Sequence, residues 1–215
     1  MVYLALGSGN RERPLETNYP YATDVQDRFY VFLDTPREDP DSVAEGTYPV
    51  DLDNTSAMFD YSTETQCESP GVFPAQEQRG WFLELPSRGE QTVTNAIIVA
   101  GLVTFSTSRP GGTAVGVCSR PIGIASSYWV NLFNASGAIG VEGTCGGTRS
   151  AELAGGGLPP PPVLATVPID GRPTTVVIGA APRDGSVGTP ISPQEVRPVI
   201  IPIRTREFWS TDADL

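Results

Sequence analysis

The sequence predicts an all-β fold assembled from three groups of short strands. Three observations lead there. Gly (23) and Pro (21) together make up about a fifth of the 215 residues, and both residues damage helix interiors. The apolar runs are short, alternate, and end in turn residues. They also recur in three groups, near 2–33 with 80–85, near 92–132 and near 162–209. Radial repetition of small sheets is the propeller arrangement, and a sandwich fits the same turn and strand pattern nearly as well.

Val2–Leu6 is a short apolar strand stopped by Gly7-Ser8-Gly9, and Arg11–Gln26 is a polar loop. Arg28–Leu33 is aromatic and β-branched, a second strand. Asp34–Gln78 is long, acidic and proline-bearing, and reads as an excursion on the rim, outside the core. Gly80–Leu85 places Trp81, Leu83 and Leu85 on one face and Phe82 and Glu84 on the other. Gln91–Val99 and Leu102–Thr107 are joined at Ala100-Gly101 by a two-residue hairpin turn. A Gly-rich loop carries Cys118. Ser126–Gly137 is the next strand, closed by the turn Asn134–Gly137, and a second Gly-rich stretch carries Cys145. After the extended Pro159–Pro162 run, two strands flank the turn Asp170-Gly171. The closing stretch, Val196–Trp209, contains Pro198 and Pro202, which place part of it at a sheet edge. The expected organisation is one propeller-like region with blades near 1–85, 86–150 and 151–215, interrupted by an acidic insertion at 34–79.

The net charge is −11 with no His. It is concentrated in residues 1–80, where 15 carboxylates face 5 Arg. Such a surface disfavours nucleic acid and anionic membranes as partners. The chain also has no Lys, so His- and Lys-dependent nucleophilic catalysis is excluded. Paired carboxylates of the glycosidase type remain open, but no spacing brings two together. Gly7–Asn10 and Gly155–Leu158 open no helix and have no P-loop Lys, so they are turns. Asn54-Thr55-Ser56 and Asn134-Ala135-Ser136 match the glycosylation sequon and carry no further argument. Arg149, Arg172, Arg183, Arg204 and Arg206 read as bridges between strands and turns. Trp81, Trp129 and Trp209, one in each strand group, read as packing between adjacent sheets.

Three cysteines, Cys67, Cys118 and Cys145, form no CxxC pair, and without His a structural zinc is excluded. One disulfide and one remaining thiol suit an exported protein. The expected pair is Cys118–Cys145, because both flank the Ser126–Gly137 strand in Gly-rich loops that would meet at one end of a blade. Its loop closure would contribute about 3–4 kcal/mol. Non-reducing peptide mapping of exported protein tests this; two free thiols there would reject the pairing. Met1–Asn10 has neither a basic n-region nor a long apolar run, so no signal peptide is visible. No segment approaches 18 apolar residues. An exported protein would therefore include more chain than these residues.

Taken in order, "ALGSGNRERPL", "DRFYVFLD", "GWFLEL…GEQTVTNAIIVAGLVTFST", "YWVNLFNASG", "GGGLPPPPVLATVPIDGRPTTVVIG" and "RTREFW" resemble the C-terminal β-propeller of the PilY-type type IV pilus assembly and tip adhesin family. The resemblance covers most of the chain and is weakest in 34–79 and 182–196. It implies a partial propeller of about three blades from a modified ring of about seven. It implies a non-enzymatic protein, exported to the cell surface, pilus tip or outer membrane, that supports pilus biogenesis, attachment and twitching motility. The partners implied are the remaining blades or the adhesive N-terminal region of the same precursor, and minor pilins at the pilus tip. No cofactor is implied. The family often carries a calcium loop of the form D-x-D-x-D-x-x-x-D. The nearest matches, Asp51, Asp53 and Asn54, or Asp34, Asp39 and Asp41, lack the regular oxygen spacing that Ca²⁺ needs, so the metal site is not carried over. Two other classes compete. A quinoprotein-type dehydrogenase propeller would need an Asp base, a vicinal Cys pair and calcium. A secreted sugar-binding module would need a polar site for a glycan.

Overall fold

The structure is a computed structural model that describes residues 2–12, 25–34, 57–63, 79–111, 122–139, 146–180 and 191–195. These residues form twelve strands in three sheets, with no helix among them. The first sheet runs β1 (Val2–Gly7), β2 (Arg28–Asp34), β4 (Gly80–Glu84) and β3 (Phe59–Asp60) across its width. Only the β3–β4 pair is parallel. The second sheet contains β5 (Gln91–Thr92), β6 (Ile97–Val99), β7 (Leu102–Arg109), β8 (Ile124–Asn131) and β9 (Ser150–Glu152). The third is the meander β10 (Val163–Ile169), β11 (Arg172–Ala180) and β12 (Ile191–Glu195). The fold is all-β and propeller-like.

Both predicted hairpin turns form, for a local reason. Ala100 and Gly101 have φ of 49° and 83°, and Asp170 and Gly171 have φ of 50° and 76°. Two successive positive φ values define the type I′ turn, whose twist matches that of the flanking strands. Space does not demand glycine at 171, since a Cβ there would meet nothing within 4 Å. The backbone conformation alone demands it.

The period-2 pattern sets the faces. In β1, Tyr3 and Ala5 pack towards the core while Val2, Leu4 and Leu6 stay exposed. Trp81 and Leu83 of β4, and Leu85 just after it, enter the core as the alternation predicts. Phe82 points the other way and is nonetheless buried. The Arg28 guanidinium lies 4.6 Å from its ring centroid and pairs with Glu84 at 2.8 Å. A half-exposed ion pair contributes little, but the arginine covers apolar surface that water would otherwise reach.

The main core lies between the first two sheets. Phe29 stacks on Phe105 with centroids 3.7 Å apart, and Phe105 stacks on Tyr128 at 4.8 Å. The Trp81 indole N–H donates to the Leu132 carbonyl at 2.8 Å, satisfying the ring's one polar atom inside the core. A smaller cluster joins the second and third sheets, with Val177 of β11 packed with Leu102, Val99, Trp129 and Ala138. The sheets thus pack in chain order, each against the next.

Three expectations are corrected. Gln91–Val99 is not one strand but β5 and β6, both paired to β7. Four residues on the first strand, 93–96, face two on β7, 105–106, between the Thr92–Thr107 and Ile97–Thr104 pairs. The Thr94 hydroxyl accepts the Ser106 N–H at 2.8 Å, replacing a ladder bond lost to this bulge. The stretch 34–79 is not wholly outside the core: Phe59 and Asp60 form β3, and Met58 and Tyr61 are buried. The rest of that stretch, 35–56 and 64–78, lies outside the described residues. Finally, β12 includes Pro193 and falls in a segment with no strand signal. It pairs only with β11 among the described residues, at a sheet edge where proline is tolerated.

Candidate functional site

The register of the second sheet places a graded surface on one face. Directly opposed residues in an antiparallel pair share a face. Val103 opposes Val130, Phe105 opposes Tyr128, Thr107 opposes Ser126 and Arg109 opposes Ile124. On the other side of β8, Ser150 opposes Tyr128 and Glu152 opposes Ser126. This face is therefore apolar at one end and polar at the other. The loop leaving β4 lays Pro86, Ser87 and Glu90 over the polar end and encloses a cleft of about 220 Å³. Arg109, Ile124, Ser126, Tyr128, Ser150 and Glu152 complete its lining.

Glu90 is only 4% exposed. Its Oε1 accepts hydrogen bonds from the Thr107 hydroxyl at 2.6 Å and the Tyr128 phenol at 2.7 Å. A carboxylate buried this deeply requires such donors, because desolvation of the charge is otherwise prohibitive. Burial first, and then the charge of Glu90, push the Tyr128 phenol far above its ordinary value. Tyr128 is therefore a hydrogen-bond donor and not a base at physiological pH. Its raised folded-state value stabilises the fold below the unfolded value near 10, and this contribution is lost as pH rises beyond it. Tyr128→Phe is expected to cost about 1.5–3 kcal/mol at neutral pH and to flatten the decline in stability above pH 10. Denaturant unfolding across pH 7–11 measures both.

Arg149 ties the two sheets together. Its guanidinium donates to the Ala135 carbonyl at 2.9 Å and to the Ser62 carbonyl at 3.0 Å. Burial lowers its pKa. Ser62 belongs to the segment that follows β3, so this one side chain links residues 87 positions apart.

A second polar centre clasps the first turn to β5. The Ser8 hydroxyl donates to Asp27 Oδ1 at 2.6 Å and accepts the Arg28 N–H at 2.8 Å. The Ser8 carbonyl accepts the Thr92 N–H at 2.9 Å. Asp27 Oδ2, Gln91 Nε2 and Thr92 Oγ1 are buried with no partner among the described residues. Burial raises the Asp27 pKa, opposed by the Ser8 hydrogen bond. The ionised form is thus disfavoured in the fold. The associated stability is present below the ordinary value of 3.8 and is lost as pH rises through the folded value. Asp27→Asn is expected to raise the thermal midpoint at neutral pH, with the gain fading towards pH 3; calorimetry at both pH values tests it.

The sequence-predicted residues are distributed as follows. Trp81 packs between the first and second sheets and Trp129 between the second and third. Arg149 bridges strands and turns, whereas Arg172 is exposed beside the Asp170-Gly171 turn. Asp34 is exposed at the end of β2. Asp39, Asp41, Asp51, Asp53, Asn54, Trp209, Arg183, Arg204 and Arg206 lie outside the described residues, as do Cys67, Cys118 and Cys145. Among the described residues no group of three or more His, Cys, Asp or Glu could hold a metal ion. The Cys118–Cys145 pairing thus lies outside the described residues. The chain leaves β7 at Arg109 and enters β8 at Ile124, whereas Gly147 bridges Gly137, which bridges Val130 near the other end of β8. Ile124 and Val130 therefore mark the two ends of β8, a strand about 24 Å long.

Glu90, Arg109 and Glu152 were not legible as a set. The available signal was the alternation of β7 continuing past Phe105 into Thr107 and Arg109, which marks where the core face turns polar.

No family model matches the chain, and no curated protein matches it. The crystal structure of the Pseudomonas aeruginosa PilY1 C-terminal domain does, with a TM-score of 0.53 and 13% sequence identity. The match covers 82% of this chain and 40% of that one, so the chain spans about two fifths of the length of that domain. At this identity the likeness is one of fold. The chain is an all-β, propeller-like structure distantly similar to the PilY1 C-terminal domain.

Proposed function

We propose that this chain is a non-enzymatic propeller portion of a type IV pilus assembly factor or tip adhesin, exported and displayed at the cell surface. The observation that carries this reading is the fold likeness to the PilY1 C-terminal domain over 82% of the chain. The three sheets are taken as three blades, with boundaries near 85 and 150. Two outer faces support further blades as neighbours. Val2, Leu4 and Leu6 are exposed on one face of the first sheet, and Val163 and Ile169 on one face of β10 in the third. Exposed apolar rows of this kind mark interfaces, and the matched domain contains more than twice the chain to supply them. Minor pilins at the pilus tip are the external partners in this reading.

The test is an in-frame deletion of this region in the native host, scored for surface pili and twitching motility and complemented in trans. Loss of both, restored by complementation, is the expected result. Normal piliation and motility in the deletion strain would overturn the proposal.

A further inference from the structure

The polar cleft over the second sheet is more than the end of a blade. Its floor is Glu90 and Tyr128, both buried, and its upper lining includes Arg109, half-buried, and Glu152, exposed. Ser87, Ser126 and Ser150 supply three hydroxyls between them. Only Pro86 and Ile124 are purely apolar. Among the described residues no carboxylate lies within ion-pair distance of the Arg109 guanidinium. Scaffolding alone does not call for this set. A neutral amide at position 90 could accept the bonds of Thr107 and Tyr128 without placing a charge 4% exposed at the bottom of a cleft.

We propose that this cleft binds one neutral sugar ring, either as a free monosaccharide or as the terminal residue of a glycan. Three properties of the lining select that class. The carboxylates of Glu90 and Glu152 accept only, Arg109 donates only, and the serine hydroxyls do both. Adjacent ring hydroxyls, which also donate and accept, are complementary to such a mixture. Charge excludes the simple ions: an anion meets two carboxylates, and a cation meets Arg109. Size sets the upper limit. The cleft has a volume of about 220 Å³. That is room for a single ring but falls short of the 300–1,000 Å³ typical of sites for drug-sized ligands. The sparse apolar lining offers no pocket for an amino-acid side chain.

This inference stands on the cleft and not on the pilus reading, so the two fail separately: piliation reports on one, sugar binding on the other. The probes are glucose, galactose, mannose and N-acetylglucosamine, applied to the full chain in ligand-observed NMR and, immobilised as terminal glycan residues, on an array. Glycine and lysine serve as charged controls. The expected result is binding of at least one sugar at roughly millimolar affinity, the range for a ligand of this size. Glu152→Gln and Arg109→Gln are the informative variants, because both residues are partly solvated and outside the core, and the thermal midpoint of each is measured beside binding. Each is expected to weaken binding about tenfold or more by removing a charge-assisted hydrogen bond. Array binding without detectable free-sugar binding, lost in both variants, identifies a terminal glycan residue and supports the proposal. Absence of binding to every sugar in both formats overturns it, as does sugar binding that neither variant weakens. Binding of glycine or lysine with no sugar also overturns it.

Discussion

Trp81→Ala is expected to destabilise the chain by about 4 kcal/mol, enough to unfold a marginal domain at 37 °C. Trp81 is 2% exposed and belongs to the cluster that joins the first two sheets. It lies edge-on to Tyr61, with centroids 6.0 Å apart, and its indole N–H is bound to the Leu132 carbonyl. Truncation removes the largest side chain of this core, leaves a cavity, and orphans that carbonyl in an apolar setting. Trp81→Phe separates the contributions. It keeps most of the packing and loses the hydrogen bond, so it should cost about 1–3 kcal/mol. Urea unfolding followed by far-ultraviolet circular dichroism measures both. A loss below about 1 kcal/mol for the alanine variant would mean that the two sheets are not held together through this core.

Gly80→Ala should be nearly as damaging, although it adds only one methyl group. Gly80 begins β4 opposite Phe32 with φ of 145°, in a region that L-residues rarely adopt. A Cβ built there lies 2.0 Å from the Val31 carbonyl oxygen and 3.0 Å from the Phe32 Cα. Both obstacles are backbone, so no rotamer change relieves them; β2 and β4 would have to separate. The expected cost is about 3 kcal/mol or more, from backbone strain together with disrupted pairing. Gly171→Ala is the control. Its φ of 76° is also positive, but nothing lies within 4 Å of its Cβ, so only the conformational penalty of about 1 kcal/mol applies. Equal losses at the two positions would show that close strand approach contributes nothing at Gly80.

The polar clasp around Asp27 and the Glu90–Tyr128 pair place opposite demands on pH. Ionised Asp27 weakens the fold as pH rises from acid, and the Tyr128 phenol supports it until the alkaline range. The Asp27→Asn and Tyr128→Phe predictions therefore probe opposite ends of the stability profile, and neither can mimic the other.

Strand content, the two I′ turns and the inward face of β4 were determined by the sequence itself. These features are local. Alternation over five to eight residues sets which side chains face together, and a dipeptide such as Asp170-Gly171 encodes positive φ by its own sterics. Local signals failed where a side chain substituted for the backbone, as Thr94 does for Ser106, or where tertiary contacts outweighed composition. Phe59 and Tyr61 sit in an acidic stretch with no alternation, and they join the core only because β4 offers a parallel edge and Trp81 a ring to pack on. The cleft was decided entirely by the tertiary structure. Glu90 meets Thr107 across 17 positions and Tyr128 across 38, and Arg149 reaches Ser62 across 87. Those encounters depend on strand order and register, which bring one face of β7, β8 and β9 under the loop that leaves β4. A single residue of slip between β7 and β8 would turn Tyr128 away from Glu90 and remove the floor of the site, because side chains alternate faces along a strand.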